Sequence, residues 1–336
     1  MAITLAEAKN NVQMDYDPAV IDEFRKYSPM LNELVFDDIV NPSGGGGTMT
    51  TGYRRLKTQA TASTRAINSE YTAQNVETEK ITVDLAVMGG SFEVDRVVAR
   101  SLGTGAGAAV ALNVQQKVKS TIAEFNDNVI NGDTAVDANG FDGLDKALSG
   151  SDTEIGLTSV TDWSDLDTLA GAGQRGADVL DELLSILNGP ASFIIGNAKS
   201  LARVRAIARR LAMHVRDPLE GLLDRNGRPV THERYGNVTL IDAGDKAGSS
   251  TPVIPVETRT VDGNSVTGLT DLYAVRVDLM DGFHGVSTTG GQLVQTWLPD
   301  FNTAGAVKKG EVELGPIAVA LRATKAAAVL RNLKVQ

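Results

Sequence analysis

Residues 108–133, AAVALNVQQKVKSTIAEFNDNVINGD, decide the fold. Val114, Val118, Ile122, Phe125 and Val129 recur at steps of four, four, three and four, which puts them on one face of a helix. Gln115, Lys117, Lys119, Glu124 and Asp127 lie off that stripe. The helix is a rod of about 37 Å, roughly twice an ordinary globular helix. Asn131-Gly132-Asp133 stops it with a residue suited to a left-handed C-cap. A long helix with a single apolar stripe needs sheet or helix laid along it.

The segments on either side are suited to that role. Upstream, Ile81, Val83, Leu85 and Val87 alternate with Thr82, Asp84, Ala86 and Met88, the pattern of a half-buried strand. Gly89-Gly90 reads as a hairpin turn. Residues 91–95 continue extended, and 97–102 turn helical. The glycines at 103, 105 and 107 miss the dinucleotide-binding spacing and follow a helical segment, so they read as a flexible lead into the long helix.

Residues 48–80 are rich in Thr, Ser, Ala and Gln and carry Arg54, Arg55, Lys57 and Arg65. Their large apolar residues are sparse: Leu56, Ile67, Tyr71 and Val76. A hairpin of this composition has no core of its own. Two arms of about fifteen residues reach roughly 50 Å, against a radius of gyration of about 20 Å for a compact chain of this size. The hairpin is expected to project and to need a neighbouring molecule, or else to be a mobile surface loop. Before it, Ser43 and Gly44 to Gly47 form a flexible joint. Thr48-Met49 follows where a phosphate-cradling loop needs Lys-Ser/Thr. Residues 1–42 read as an arm, with short helices at 5–12 and 18–27 and an apolar cluster of Leu31, Leu34, Val35 and Phe36 that must dock elsewhere.

Downstream, Asp133, Asp137, Asp142 and Asp145 invite a calcium reading, but the spacing lacks the required glycine and glutamate, leaving a capped turn with exposed carboxylates. Val179, Leu180, Leu183, Leu184 and Leu187 make an amphipathic helix, ended by Asn188-Gly189-Pro190. Phe193 to Ile195 is a short buried strand. Asn197 caps a helix whose apolar face is Leu201, Val204, Ile207, Ala208 and Leu211. The other face carries Lys199, Arg203, Arg205, Arg209 and Arg210, and Arg216 follows. No acid occurs from Lys199 to Arg216, which is either a contact for an acidic neighbour or nucleic acid, or a solvated face. Tyr235-Gly236-Asn237 opens a strand through Ile241. Residues 243–270 are rich in turn formers and read as an exposed tip. Strands are expected at 272–277, 293–297, 312–314 and 317–321, with 327–333 closing the chain. Strands on both sides of the middle segment imply one sheet under the long helix and an inserted middle domain.

Composition narrows the function. The chain has 336 residues, 42% apolar, with no cysteine and three histidines. That leaves no disulfide, thiolate metal site or cysteine nucleophile, and no metal centre or cofactor is expected. The net charge of −10 is a poor basis for general nucleic-acid binding, and suits a protein that sits beside nucleic acid without adhering. MAITLAEAKNN resembles neither a signal nor a transit peptide, and no apolar run is as long as a membrane span, so a soluble protein that stays where it is made is expected. No Gly-x-Ser-x-Gly elbow, His-Glu-x-x-His or Walker pair occurs, so no catalytic residue is assigned and no enzyme is expected.

The order of these features carries a resemblance. It rests on the long helix running into Asn131-Gly132-Asp133 and Phe141-Asp142-Gly143-Leu144. The helix of residues 177–187, the strand Phe193 to Ile195 with Asn197 and its helix, Tyr235-Gly236-Asn237-Val238 and the strand series from Phe301 to Leu333 follow in order. The sequence resembles the major capsid protein of tailed bacteriophages, the Hong Kong 97-type fold. The resemblance implies an α+β chain with a long spine helix, a peripheral domain, an axial domain, an extended hairpin loop and an N-terminal arm. Residues 1–47 would be the arm and 48–80 the extended loop, lying on the next subunit. Residues 81–140, with the spine 108–133, would be the first part of the peripheral domain, 141–270 the axial domain, and 271–336 the second peripheral part.

The implied function is structural. Many copies, in pentamers and hexamers, would close an icosahedral shell around double-stranded DNA without sequence-specific contact. The implied location is the virion, assembled in the host bacterial cytoplasm, with separate scaffolding, portal and decoration proteins as further partners and no membrane. Arg54, Arg55, Lys57, Arg65 and Tyr71 are the expected assembly contacts. Only about 47 residues precede the hairpin, so scaffolding would come from a separate protein. Some family members join an extended-loop lysine to a neighbour's asparagine; Lys57 is the available donor here and no motif identifies an acceptor. Three rivals remain: a cellular nanocompartment shell of the same fold, a nucleic-acid-binding protein using the Lys199–Arg216 face, and an enzyme, which would need a deep pocket with perturbed ionisable groups.

Overall fold

The computed structural model describes residues 29–37, 49–58, 60–101, 105–166, 171–223, 229–288 and 293–336. The arm helices expected at 5–12 and 18–27 and the glycine joint at 43–47 lie outside the described residues. The first elements are α1 (Met30–Glu33), β1 (Phe36–Asp37), β2 (Thr50–Leu56), β3 (Thr78–Asp84), β4 (Ala86–Asp95), α2 (Arg96–Ser101) and α3 (Gly105–Asn131). Next come α4 (Leu144–Leu148), β5 (Glu154–Ile155), β6 (Thr161–Asp162), α5 (Ala172–Ser185), β7 (Phe193–Gly196) and α6 (Ala198–Arg210). Then follow β8 (His214–Leu223), β9 (Pro229–Tyr235), β10 (Val238–Asp242), β11 (Glu257–Val261) and β12 (Asn264–Val275). The chain closes with β13 (Phe283–Ser287), β14 (Val294–Trp297), β15 (Val307–Leu321) and β16 (Ala327–Lys334).

The long helix is present as the 27-residue α3 and begins at Gly105, inside the expected lead. Its stripe is graded. Phe125 and Val129 are fully buried, while Val114, Val118 and Ile122 are half-buried. Beneath it lies a five-stranded sheet in the order β1-β13-β15-β14, with β4 on the other flank of β15. Residues far apart in the chain therefore share one sheet under α3, as the strand pattern predicts. The aromatic stack Phe36–Phe125–Phe141, with centroids 6.5 and 6.0 Å apart, ties α1–β1 and the turn after α3 to that sheet. Of the arm's apolar cluster, Leu34 is buried here and Leu31 and Phe36 pack against the same core, while Val35 is 47% exposed.

Two local readings are overturned. Gly89 and Gly90 do not turn the chain; they lie inside β4, opposite Glu313 and Val312 of β15. A Cβ on Gly89 would sit 2.4 Å from the Val312 carbonyl oxygen, and one on Gly90 would press on Lys117 of α3 at 3.2 Å. These glycines serve close approach. The alternation from Ile81 to Val87 is not one strand either. Leu85 and Ala86 are both buried, so the phase slips: Met88 goes inside and Val87 is 52% exposed. A one-residue slip exchanges the faces of everything that follows.

The second sheet has nine strands, in the order β5-β16-β12-β7-β10-β9-β8, with β6 also on β16 and β11 on β12. β7 is its fully buried centre, parallel to β10 and antiparallel to β12. α5 and α6 pack together through Leu180, Leu183, Leu201, Val204 and Ile207. The expected cap is present: Asn197 Oδ1 accepts the Ser200 N–H at 2.8 Å. Its Nδ2 donates to Ile254 O and Thr270 Oγ1.

Residue 271, the expected boundary, lies within β12. β12 runs unbroken from 264 to 275, and β16, expected in the second peripheral part, pairs with it from Leu269↔Lys334 to Val275↔Ala327. The last strand thus belongs to the sheet of the middle segment, because the apolar residues of β12 need a partner on that side. Residues 243–270 are not simply an exposed tip: Ala243, Val253, Ile254, Val261 and Leu269 are core. The β11–β12 turn passes through Asp262 and Gly263 at φ 48° and 76°, a two-residue hairpin of the Asp-Gly kind.

Candidate assembly surface

The hairpin is a ribbon with a short paired base. β2 and β3 are antiparallel from Thr50↔Asp84 to Leu56↔Thr78, about 24 Å of paired length, shorter than the arms expected. Lys57 N donates to Glu77 O at 2.8 Å and Glu77 N to Thr58 Oγ1 at 2.9 Å; beyond them the Thr61 side chain still bonds that of Gln74. Residues 60–80 are exposed without exception. Ile67 is 91% and Tyr71 60% exposed, so the ribbon carries apolar side chains that its own subunit does not cover.

The base is tied down. Tyr53 Oη donates to Leu321 O at 2.7 Å, and Arg55 donates to Leu321 O and Arg322 O at 2.7 and 3.0 Å. Burial pushes the Tyr53 phenol up, so it stays a donor. Of the expected contacts, Arg55 is therefore engaged within its own chain, while Arg54 and Lys57 are exposed. Arg65 stacks over Tyr71 at 5.5 Å and donates to Ser69 O at 3.1 Å, organising the turn around Asn68. The structure thus brings Arg65 and Tyr71 together and leaves Arg54 and Lys57 apart from them.

A second surface was not singled out from sequence. Among the described residues, β4, β14 and the first half of β15 leave the side of the sheet opposite α3 open, whereas β13 and the second half of β15 are buried on both sides. Val307, Lys309, Glu311 and Glu313 of β15 face out, while Lys308, Gly310, Val312 and Leu314 face in. Asp95 and Glu93 stand opposite Val307 and Lys309; Trp297 and Gln295 of β14 stand opposite Glu311 and Glu313. Glu93, Asp95, Glu311 and Glu313 against Lys309 are four acids and one base, a net charge of −3 beside a Trp297 that is 46% exposed. The period-two pattern of VKKGEVEL was the available signal.

The ribbon is carried away from this face. Tyr53 lies against Leu321, ten residues beyond Glu311 on β15, about 33 Å along the strand. Over residues 48–80 the ribbon carries Arg54, Arg55, Lys57, Arg65 and Lys80 against Glu70, Glu77 and Glu79, five bases and three acids, a net charge of +2, with Glu79 directly opposite Arg55. A ribbon with a small net positive charge and an acidic sheet face therefore lie toward opposite ends of β15.

The basic face of α6 is largely engaged within the chain. Lys199 pairs with the Gln336 side chain, Arg203 Nε donates to Val335 O at 3.1 Å, and Arg205 meets Glu233 at 2.9 Å. Arg209 and Arg210 remain exposed. The acids after α3 are also spent: Lys146 is clasped by Asp133 and Asp142 at 2.6 and 2.9 Å, and Asp145 accepts from Tyr273 and Arg331. Among the described residues no group of three or more His, Asp or Glu could hold a metal ion. Among them, too, no helix is long and apolar enough to cross a membrane.

The main cleft in the second sheet, of about 430 Å³, is occupied at its wall by ion pairs. Arg259 makes a bidentate pair with Asp271 at 2.6 and 2.9 Å, and Arg331 joins Glu154 at 2.8 Å and Asp271 at 3.1 Å. Burial opposes the charge on Arg331; Tyr273, Asp271 and Asp145 together hold it protonated. These contacts join α4, β5, β11, β12 and β16, and they are structural.

No family model and no curated protein sequence matches the chain. Solved structures do. The capsid protein of Myoviridae phage XM1 is 13% identical over 98% of this chain and 99% of its own, with a TM-score of 0.55. A structure from Mycobacterium phage Ogopogo is 10% identical over 98% of this chain and 99% of its own, with a TM-score of 0.55. The holo-SrpI encapsulin of Synechococcus elongatus PCC 7942 is 14% identical over 100% and 98%, with a TM-score of 0.53. The fold is therefore the α+β, Hong Kong 97-type fold shared by phage capsid and encapsulin subunits, as the sequence resemblance implies.

Proposed function

We propose that this protein is the major capsid protein of a tailed bacteriophage, a structural subunit that self-assembles into an icosahedral shell around double-stranded DNA. The observation that carries the reading is the wholly exposed stretch 60–80, with its uncovered Ile67 and Tyr71, on a chain whose fold is shared by shell subunits. In this reading 1–47 is the arm, 48–80 the extended loop, α3 the spine of a peripheral domain, and the second sheet with α5 and α6 the axial domain of pentamers and hexamers. The ribbon of one copy lies on a neighbour, and the acidic sheet face is the surface whose charge suits the ribbon's small net positive charge. Such head-to-tail contacts close into rings and shells. The net charge of −10 suits a wall that does not hold its genome fast. Scaffolding, portal and decoration proteins are the further partners, and the virion is the location.

Electron microscopy of the expressed chain, alone and with its genomic neighbours co-expressed, tests this. Uniform hollow particles are expected; a monomer under every condition would overturn it. Glu311→Lys/Glu313→Lys should block assembly, and Arg54→Glu/Lys57→Glu in the same chain should restore it. A nanocompartment shell is the second reading, favoured by the full-length likeness to the encapsulin. Particle contents separate the two: nuclease-protected DNA for the phage, an enclosed protein for the compartment.

A further inference from the structure

The arm enters the first sheet at β1, and the same place holds the base of the ribbon. The Phe36 ring fills the space beside Gly285, where a Cβ would lie 2.2 Å from it. Asp37 meets Arg322 at 3.3 Å. The carbonyls of Leu321 and Arg322 in turn hold Tyr53 and Arg55. His284 stands between Phe283 and Gly285 on β13, 1% exposed, and its Nδ1 is buried with no hydrogen-bond partner.

The charged groups around it are few. Asp37 faces it from β1 and Arg322 from the end of β15. The turn at 278–282 contributes backbone of Asp278 and Gly282, while the carboxylates of Asp278 and Asp281 are engaged by Arg276 at 3.6 and 2.7 Å. Arg55 approaches from the ribbon base. A proton on His284 would add a cation beside Arg322 and compete with it for Asp37 in a buried site, a cost that hydrogen bonds to the backbone of Gly282 and Asp278 only partly offset.

We propose that His284 is an acid-operated latch: on taking up a proton it releases β1 from β13 and loosens the ribbon base from Leu321 and Arg322. Burial, and next Arg322, hold the imidazole below its ordinary value of 6.5 in the closed form. The open form titrates at the ordinary value, so closure is favoured above that pH and weakens as pH falls through it. One proton can raise the opening equilibrium by up to about tenfold between pH 7.5 and pH 5.5. The inference concerns the subunit and does not depend on the shell reading.

Hydrogen exchange of the full chain at pH 7.5 and 5.5, corrected for intrinsic rates, measures the opening. Segments 33–37 and 50–56 should open several-fold more at pH 5.5, the response should vanish in His284→Gln, and it should survive in His214→Gln/His232→Gln. Equal opening of the wild type at both pH values, a response retained by His284→Gln, or one lost in the double variant would each overturn the latch. If His284→Gln does not fold, the double variant, which keeps His284 as its one histidine, decides alone.

Discussion

Replacing Arg331 by Met tests the ion-pair network that joins the second sheet to α4. Met keeps much of the volume but deletes the guanidinium that bonds Glu154 and Asp271 at 2.8 and 3.1 Å and also reaches Asp145. The side chains of Glu154 and Asp271 are 5% and 6% exposed, so water cannot replace the lost donor. Removing one partner of a buried pair costs about 3–5 kcal/mol. Asp271 keeps its bidentate Arg259 and Asp145 keeps the Tyr273 hydroxyl, so the loss falls mainly on Glu154, which retains one donor, the Gly150 N–H at 2.7 Å. That places the expected loss near the lower end, about 3 kcal/mol, or somewhat over a hundredfold in the folding equilibrium. Urea unfolding followed by emission of Trp163, which is 2% exposed in the second core, reads the change. Arg331→Met/Glu154→Gln removes the stranded charge and should recover more than half of the loss. A loss under about 1 kcal/mol, or a double variant no better than the single, would refute the assignment of Arg331 as the neutralising centre of this network.

Asn197→Ala removes a cap and two buried donors at once and should cost about 2–3 kcal/mol by the same unfolding assay, beyond the ~1 kcal/mol of a cap alone. Gly285→Val drives a side chain into the Phe36 ring and should expose segment 33–37 to hydrogen exchange while the second sheet stays protected. Ile67→Ser/Tyr71→Ala should leave subunit stability within about 0.5 kcal/mol, since both side chains are exposed, yet reduce particle yield sharply under the microscope. Burial, and next Asp181, push the Tyr235 phenol up to about 12. Its neutral form therefore stabilises the fold fully below pH 10, and that share is lost as pH rises from 10 through 12. Ultraviolet titration should show Tyr235 ionising late, along with the more deeply buried Tyr273, and Tyr235→Phe should reduce that late step by one tyrosine.

The parts of the fold that sequence discloses are those whose cause is local. The stripe on α3, the cap at Asn197 and the strand Phe193–Gly196 each follow from neighbours within a few residues. What was misread depends on remote partners. Gly89-Gly90 has the composition of a turn, and only the Val312 carbonyl, brought in by β15, makes it the middle of a strand. β13 draws no reading from sequence, since Gly282 before it and Gly285 within it interrupt any pattern; its burial comes from β1 and β15 on either side. Val253 and Ile254 sit among turn formers and are buried because other segments fold over them. On the assembly surface, the ribbon was legible as an element without a core. Its anchor Tyr53 was not, because the Leu321 carbonyl that receives its hydroxyl lies 268 positions away.

The pairing of β16 with β12 has a consequence for how the chain is made. About 50 residues separate Val275 from Ala327, a few seconds of synthesis at ~5–20 residues per second. Through that interval β12 waits with an open, apolar flank, and β15, the strand that the first sheet is built around, emerges within it. Neither layer can be sealed much ahead of the other. A nascent chain passes late and nearly at once from unfinished to complete.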